Sequence, residues 1–162
     1  MGEQRDNKEI PSLGRLADLV GHPPAPVTTR VLIEEDHWIY ICVGQARADI
    51  AATLGWNDEN IWMPEHVLRY VSERHPVILN PVRAFSVLLQ QALTVHEDRK
   101  DKNHRYFIVD GETLRADGLL SSQTVRYVDA VVEWRHVPDG RIMRAFHLSP
   151  NKRNQGGQQL WP

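Results

Sequence analysis

The sequence predicts an α+β domain in which helices pack on one face of an antiparallel sheet of about four strands, preceded by an N-terminal hairpin. Three observations carry this expectation. Apolar residues recur at helical spacing between residues 46 and 93, strand-like segments fill residues 94–149, and Pro138-Asp-Gly140 forms a strong turn between the last two strands. Helices followed by a meander of strands bury their apolar stripes most simply as one helical layer on one sheet.

The 162 residues are 41% hydrophobic and 25% charged, which is ordinary for a globular chain with a real core. They divide into an arm with a proline-rich linker (1–27), a single α+β domain (28–150) and a polar tail (151–162). Apolar runs such as residues 39–43 are too short to span a bilayer, and the charged N-terminus lacks the apolar stretch of a signal peptide. No membrane association is expected. The expected location is cytoplasmic, with delivery into a target cell left open. Cys42 is the single cysteine and reads as a small packed hydrophobe.

Within the arm, Leu13, Leu16, Leu19 and Val20 could form one short amphipathic helix, and Gly21-His-Pro-Pro-Ala-Pro26 reads as linker. Residues 27–33 and 37–43 are rich in β-branched residues and flank the acidic turn Glu34-Glu-Asp36, so they read as a hairpin. Residues 46–54 read as a helix closed by Gly55. A second helix is expected over residues 62–76, with Pro64 near its start and Pro76 ending it, since the residue before a proline is pushed out of the α region. Residues 80–93 give a third helix with Phe85, Leu88, Leu89 and Ala92 on one face. Residues 94–98, 105–109, 124–137 and 141–149 read as strands, and 112–123 as loop. Residues 151–159 read as a mobile tail unless Leu160 and Trp161 dock.

Charge is uneven along the chain. Residues 1–59 carry five Lys/Arg against ten Asp/Glu, whereas residues 60–162 carry fourteen against eleven together with six of the eight histidines. Arg141, Arg144, Lys152 and Arg153 are clustered without an acidic residue among them, which suits a polyanion-binding face.

The helix over residues 62–76 places His75 four residues after Val71, on the apolar stripe of Val67, Leu68 and Val71. A histidine there, next to Arg74, points to an anion or proton-transfer site; the competing reading is a hydrogen-bonded packing residue. On the last strand, Arg144, His147 and Ser149 fall within one short segment. Alternation puts Ile142, Arg144, Phe146 and Leu148 on one side and Met143, Ala145, His147 and Ser149 on the other, but Phe146 and Leu148 read as core while Arg144 does not, so a bulge could separate them. Cleavage of RNA by its own 2′-hydroxyl needs a base, an acid and a cation on the phosphate, and histidine and arginine fill those roles. The histidines at 66, 75, 96, 104, 136 and 147 are scattered and lack zinc-site spacing, and no phosphate loop, dinucleotide fingerprint or nucleophile elbow is present. No cofactor or metal is expected.

Gly44, Ala51-Ala-Thr-Leu-Gly55, Ile61-Trp-Met-Pro-Glu-His-Val-Leu and Arg74-His75-Pro76, followed by a helix and a strand meander, resemble the phage-associated nuclease domains of the barnase, EndoU, colicin and RelE-like superfamily. The resemblance spans roughly residues 37–150. It implies helices on a four-stranded antiparallel sheet and metal-independent ribonuclease activity, with His75 as the helix-borne acid–base residue and a last-strand partner near His147 or Ser149. The family's cation would be His96, Arg99 or Arg105, of which Arg105 begins the cleanest strand. The acidic first half and a pI near 6.4 depart from a typical free ribonuclease.

Together these readings name a phage- or toxin-type endoribonuclease acting on RNA such as tRNA. His75, His147, Arg105 and Arg144 would be catalytic, and Ser149, Lys152, Arg74 and His96 would bind substrate. The alternative is a non-catalytic module, a phage accessory or immunity-type protein, that uses the same sheet face or its acidic hairpin to hold a protein or RNA. An inhibitory or immunity protein is the expected partner beside RNA.

Overall fold

The segment before the histidine-bearing helix is a strand, and that one difference changes the size of the sheet. The computed structural model describes residues 9–20, 24–150 and 157–162. Its strands are β1 (Ser12–Leu13), β2 (Arg30–Ile33), β3 (Trp38–Gly44), β4 (Ile61–Pro64), β5 (Thr94–Glu97), β6 (His104–Asp110), β7 (Tyr127–Val137), β8 (Gly140–Pro150) and β9 (Gln159–Trp161). The α-helices are α1 (Ala48–Leu54), α2 (Glu65–Arg74), α3 (Pro81–Gln91) and α4 (Gly111–Ala116), and Leu16–Leu19 form a 3-10 turn.

Among the described residues all the strands join one nine-stranded sheet, in the order β1-β2-β3-β4-β8-β7-β6-β5-β9. The pairs β1·β2 and β4·β8 are parallel and the others antiparallel. The expectation of an antiparallel sheet of about four strands is therefore wrong: the class is α+β, but the sheet is mixed and more than twice as wide. The cause is β4. It pairs antiparallel with β3 and parallel with β8, so it fuses the N-terminal hairpin to the C-terminal meander. Four apolar residues carry no period that tells strand from helix, and here both faces are buried. Ile61 and Met63 enter the core beneath the helices, while Trp62 enters a second core on the opposite face.

The larger core gathers Ile50 of α1, Val67 and Val71 of α2, Phe85, Leu88 and Leu89 of α3 and Leu114 of α4 against Ile41, Phe107, Ala130, Ala145 and Leu148 of the sheet. The second core lies on the other face of the hairpin half, where Leu13, Leu16 and Leu19 pack on Tyr40, Cys42 and Trp62. Residues 12–19 of the arm are thus part of the fold: β1 extends the sheet beside β2. The acidic turn holds it, because Ser12 donates to Glu34 (2.8 Å) and the Leu16 N–H donates to Glu35 (2.9 Å).

Local chemistry accounts for the element ends. Gly55 takes the left-handed conformation (φ 70°) that closes α1, and Asn80 caps α3 by accepting from the Arg83 N–H (3.3 Å). The stretch expected as loop contains α4, capped by Asp110, which accepts from the Thr113 N–H (2.9 Å). Gly111 is required at its first turn because any side chain there would run into the Val125 carbonyl oxygen. At the far edge, β9 pairs with β5, Trp161 packs on the larger core, and the Arg47 guanidinium lies 5.0 Å from the Trp161 ring. No helix among the described residues is long and apolar enough to cross a membrane.

Candidate functional site

Helix α2 stops where its sequence says it must. Arg74 is its last residue, and His75 ahead of Pro76 leaves the helical region (φ −130°, ψ 60°) while its N–H still donates to the Val71 carbonyl (2.8 Å). That exit swings the half-buried His75 ring off the apolar stripe and toward β8. The expectation of an inward histidine at the helix end thus becomes a ring at the junction of α2 and the sheet.

The partner arrives through a β-bulge. Val132 pairs with Ala145 and Val131 with His147, so Phe146 is an extra residue in β8. Before the bulge Met143 and Ala145 face the helices; after it Leu148 does. The inserted residue moves His147 and Ser149 onto the face of Arg144, where a regular strand would have turned them into the core. Parallel β4 pairs with β8 only as far as Arg144, which leaves the next stretch of β8 to be covered by α2.

An open groove of about 360 Å³ results, lined by His66, Val67 and Tyr70 of α2 and by Arg144, Phe146 and His147 of β8. The His75 and His147 rings meet edge to face with 5.9 Å between centroids, and Tyr70 lies 6.1 Å from His147. The Arg74 guanidinium reaches over the Tyr70 ring, 5.8 Å from its centroid. The Trp38 ring rests on His66, with 4.4 Å between centroids. Burial, aided by the Arg144 and Arg69 guanidiniums, holds the His66 imidazole below its ordinary pKa.

Behind the groove lies a second polar group. Glu133 accepts from His104 Nε2 (3.1 Å) and faces Arg144 Nη1 (3.8 Å), so one carboxylate ties the groove's arginine to a buried histidine. His104 is also 3.6 Å from Asp98 and from Asp101 and stacks at 4.8 Å on the exposed ring of Phe146. Tyr106 donates to Asp98 (3.1 Å); burial and this carboxylate push the phenol up to about 12. The Lys100 N–H, and after it the Tyr106 hydroxyl, hold Asp98 below the usual carboxylate range. Among the described residues no group of three or more His, Cys, Asp and Glu is arranged to hold a metal ion.

The structure brings together His75, His147, Arg144 and Arg74, and it separates the others. Arg105 sits on the helix side of the sheet, stacked at 4.7 Å on Trp134, whose other cation is Arg141 at 5.6 Å. Adjacent residues of β7 point to opposite faces, so Arg105 on Trp134 and Arg144 on Glu133 cannot share a phosphate. Burial lowers the Arg105 pKa, and its guanidinium donates to the carbonyls of Lys102 and His104. His96 lies on β5, three strands from β8, with Nδ1 3.4 Å from the Gly157 carbonyl. Ser149 shares the face of His147 but is 1% exposed, opposite Asp129, and its hydroxyl has no hydrogen-bond partner among the described residues. Lys152 lies outside the described residues.

Sequence reasoning passed over His66, Tyr70, Phe146 and Trp38. One signal was present: His66, Tyr70 and Arg74 follow one another at four-residue spacing, which places them along one stripe of α2 beside the apolar one. Phe146 gave no such signal, since an aromatic residue in an alternating strand reads as core. No protein-family model matches the chain, and neither a characterised protein nor a solved structure shows significant similarity to it.

Proposed function

We propose that the protein is a metal-independent endoribonuclease that cleaves through the RNA 2′-hydroxyl, as the resemblance to phage-associated nuclease domains implies. The observation that carries the reading is the His75–His147 pair, 5.9 Å between ring centroids, in which His147 lines an open groove that also holds Arg144. One imidazole takes the 2′-hydroxyl proton as the oxygen attacks phosphorus; the other, protonated, gives its proton to the departing 5′-oxygen. The bond to the 5′-oxygen breaks as the bond to the 2′-oxygen forms, which leaves a 2′,3′-cyclic phosphate. Arg144 stabilises the extra negative charge on the phosphorane, and the Glu133 carboxylate orients it.

The alternative of a binding module docking through its acidic hairpin is less well supported. Glu34 and Glu35 hold the arm, and Asp36 accepts from the Tyr40 hydroxyl (2.7 Å) and the Trp38 N–H (2.9 Å), so that turn is engaged within the chain.

The test is incubation of the purified protein with structured RNA in EDTA, with analysis of the ends produced. Fragments with 2′,3′-cyclic ends that vanish in a folded His75→Ala variant are expected. Intact RNA at high protein concentration, or undiminished cleavage by that variant, would overturn the reading.

A further inference from the structure

We infer that the groove between α2 and β8 is a stacking site for one unpaired nucleobase, so that the substrate of the histidine pair is single-stranded RNA; this rests on the acid–base reading of the same groove. Isolated exposed aromatics are ordinary on protein surfaces and need no explanation. Here Tyr70 and Phe146, at 48% and 45% exposure, line one groove, and Trp38, at 44%, rests on His66 of the same groove. Each is braced on a histidine: Trp38 on His66, Tyr70 near His147 and Phe146 on His104. A braced, half-exposed ring is a low-entropy platform for a flat ligand.

The charge around these rings fits a nucleotide. Arg144 lies in the groove wall, and Arg69 and Arg74 extend along α2, with Arg74 over the Tyr70 ring. The acidic residues of α2 are Glu65, which is paired with Arg69 (3.4 Å), and Glu73 in the last turn, flanked in sequence by Arg74. Alternating cations and aromatics are the pattern that holds single-stranded nucleic acid, where the backbone follows the charges and bases stack on the rings. His66, held toward its neutral form by burial, offers one N–H donor and one ring-nitrogen acceptor to a base edge.

Size and shape argue against a duplex. The groove of about 360 Å³ lies at the low end of the range of roughly 300–1,000 Å³ for small-ligand pockets, suited to one base and not to a helix. An A-form duplex keeps its bases stacked inside and presents backbone and shallow-groove edges, which would leave all three rings without a partner.

The experiment uses the full chain and a fluorescent 2′-O-methyl RNA oligonucleotide, free or annealed to its complement. This ligand binds but has no 2′-hydroxyl to react, so it reads the platform separately from the chemistry. Tighter binding of the single strand than of the duplex is expected. Tyr70→Ala, Phe146→Ala and Trp38→Ala, all at exposed positions, should each weaken single-strand binding by about 5- to 150-fold, while Tyr70→Phe keeps it. Equal affinity for the duplex, or alanine variants that are folded by circular dichroism and bind normally, would overturn the platform. Wild-type protein that cleaves duplex and single strand at equal rates would overturn it while leaving the acid–base reading intact. Selective single-strand binding without any cleavage would support the platform and remove the ribonuclease.

Discussion

The imidazoles of His75 and His147 stand edge to face with 5.9 Å between their centroids, although one ends a helix and the other follows a bulge in the penultimate strand. Neither is placed by its own element alone. His75 depends on Pro76 ending α2, and His147 depends on Phe146 being an extra residue.

If the two rings act as base and acid, His75→Ala and His147→Ala should each lower kcat by about 100- to 10,000-fold. The double variant should fall little further, because the two roles belong to one proton-transfer sequence. Single-turnover cleavage of a short RNA measures both, and multiplicative losses would show that the residues act independently.

Glu133 should position Arg144. Arg144→Ala is expected to cost about 100- to 1,000-fold in kcat, the scale of one lost transition-state donor. Glu133→Gln should cost about tenfold in kcat with little change in KM, on the order of one weakened charge-assisted hydrogen bond. A Glu133→Gln variant whose defect lies wholly in KM would remove this role.

The pH dependence of stability should carry a contribution from Asp98. Its folded pKa is held below the unfolded reference of about 3.9, so the stabilisation is fully present above that value and is lost as pH falls through the folded value. Asp98→Asn should therefore be less stable than the wild type near neutrality, and the difference should shrink below roughly pH 4. Urea midpoints across the acid range test it; a constant difference at all pH values would contradict the assignment.

Removal of residues 157–162 should separate stability from activity. The truncation deletes β9 and the Trp161 contact with Arg47, and a loss of about 2 kcal/mol corresponds to a Tm roughly 4–8 °C lower. Cleavage should persist at temperatures where the variant is folded, because β9 is four strands from β8, roughly 19 Å at the usual strand spacing. Loss of cleavage with an unchanged Tm would place the tail in the site.

The helices α1 and α3, the hairpin of β2 and β3 and the Pro138-Asp-Gly140 turn were legible because each rests on local chemistry: period, cap or turn residue. Strand β4 was not. Ile61-Trp-Met-Pro64 has no period of its own, and its strand state follows from apolar surfaces on both faces that only the assembled chain provides. For the same reason the sheet was expected to be far smaller than it is.

In the site, residue type and helix end were local matters, and the pairing was not. The sequence by itself determined that His75 sits where Pro76 stops a helix, and that Arg144 and His147 lie close together near the end of the chain. Tertiary structure decided which of them face one another. The Phe146 bulge put Arg144 and His147 on one side of β8, the short β4 left room for α2 beside them, and strand alternation sent Arg105 to the opposite face. A side chain's face depends on the register of its strand against its neighbours, and that register is a property of the sheet as a whole.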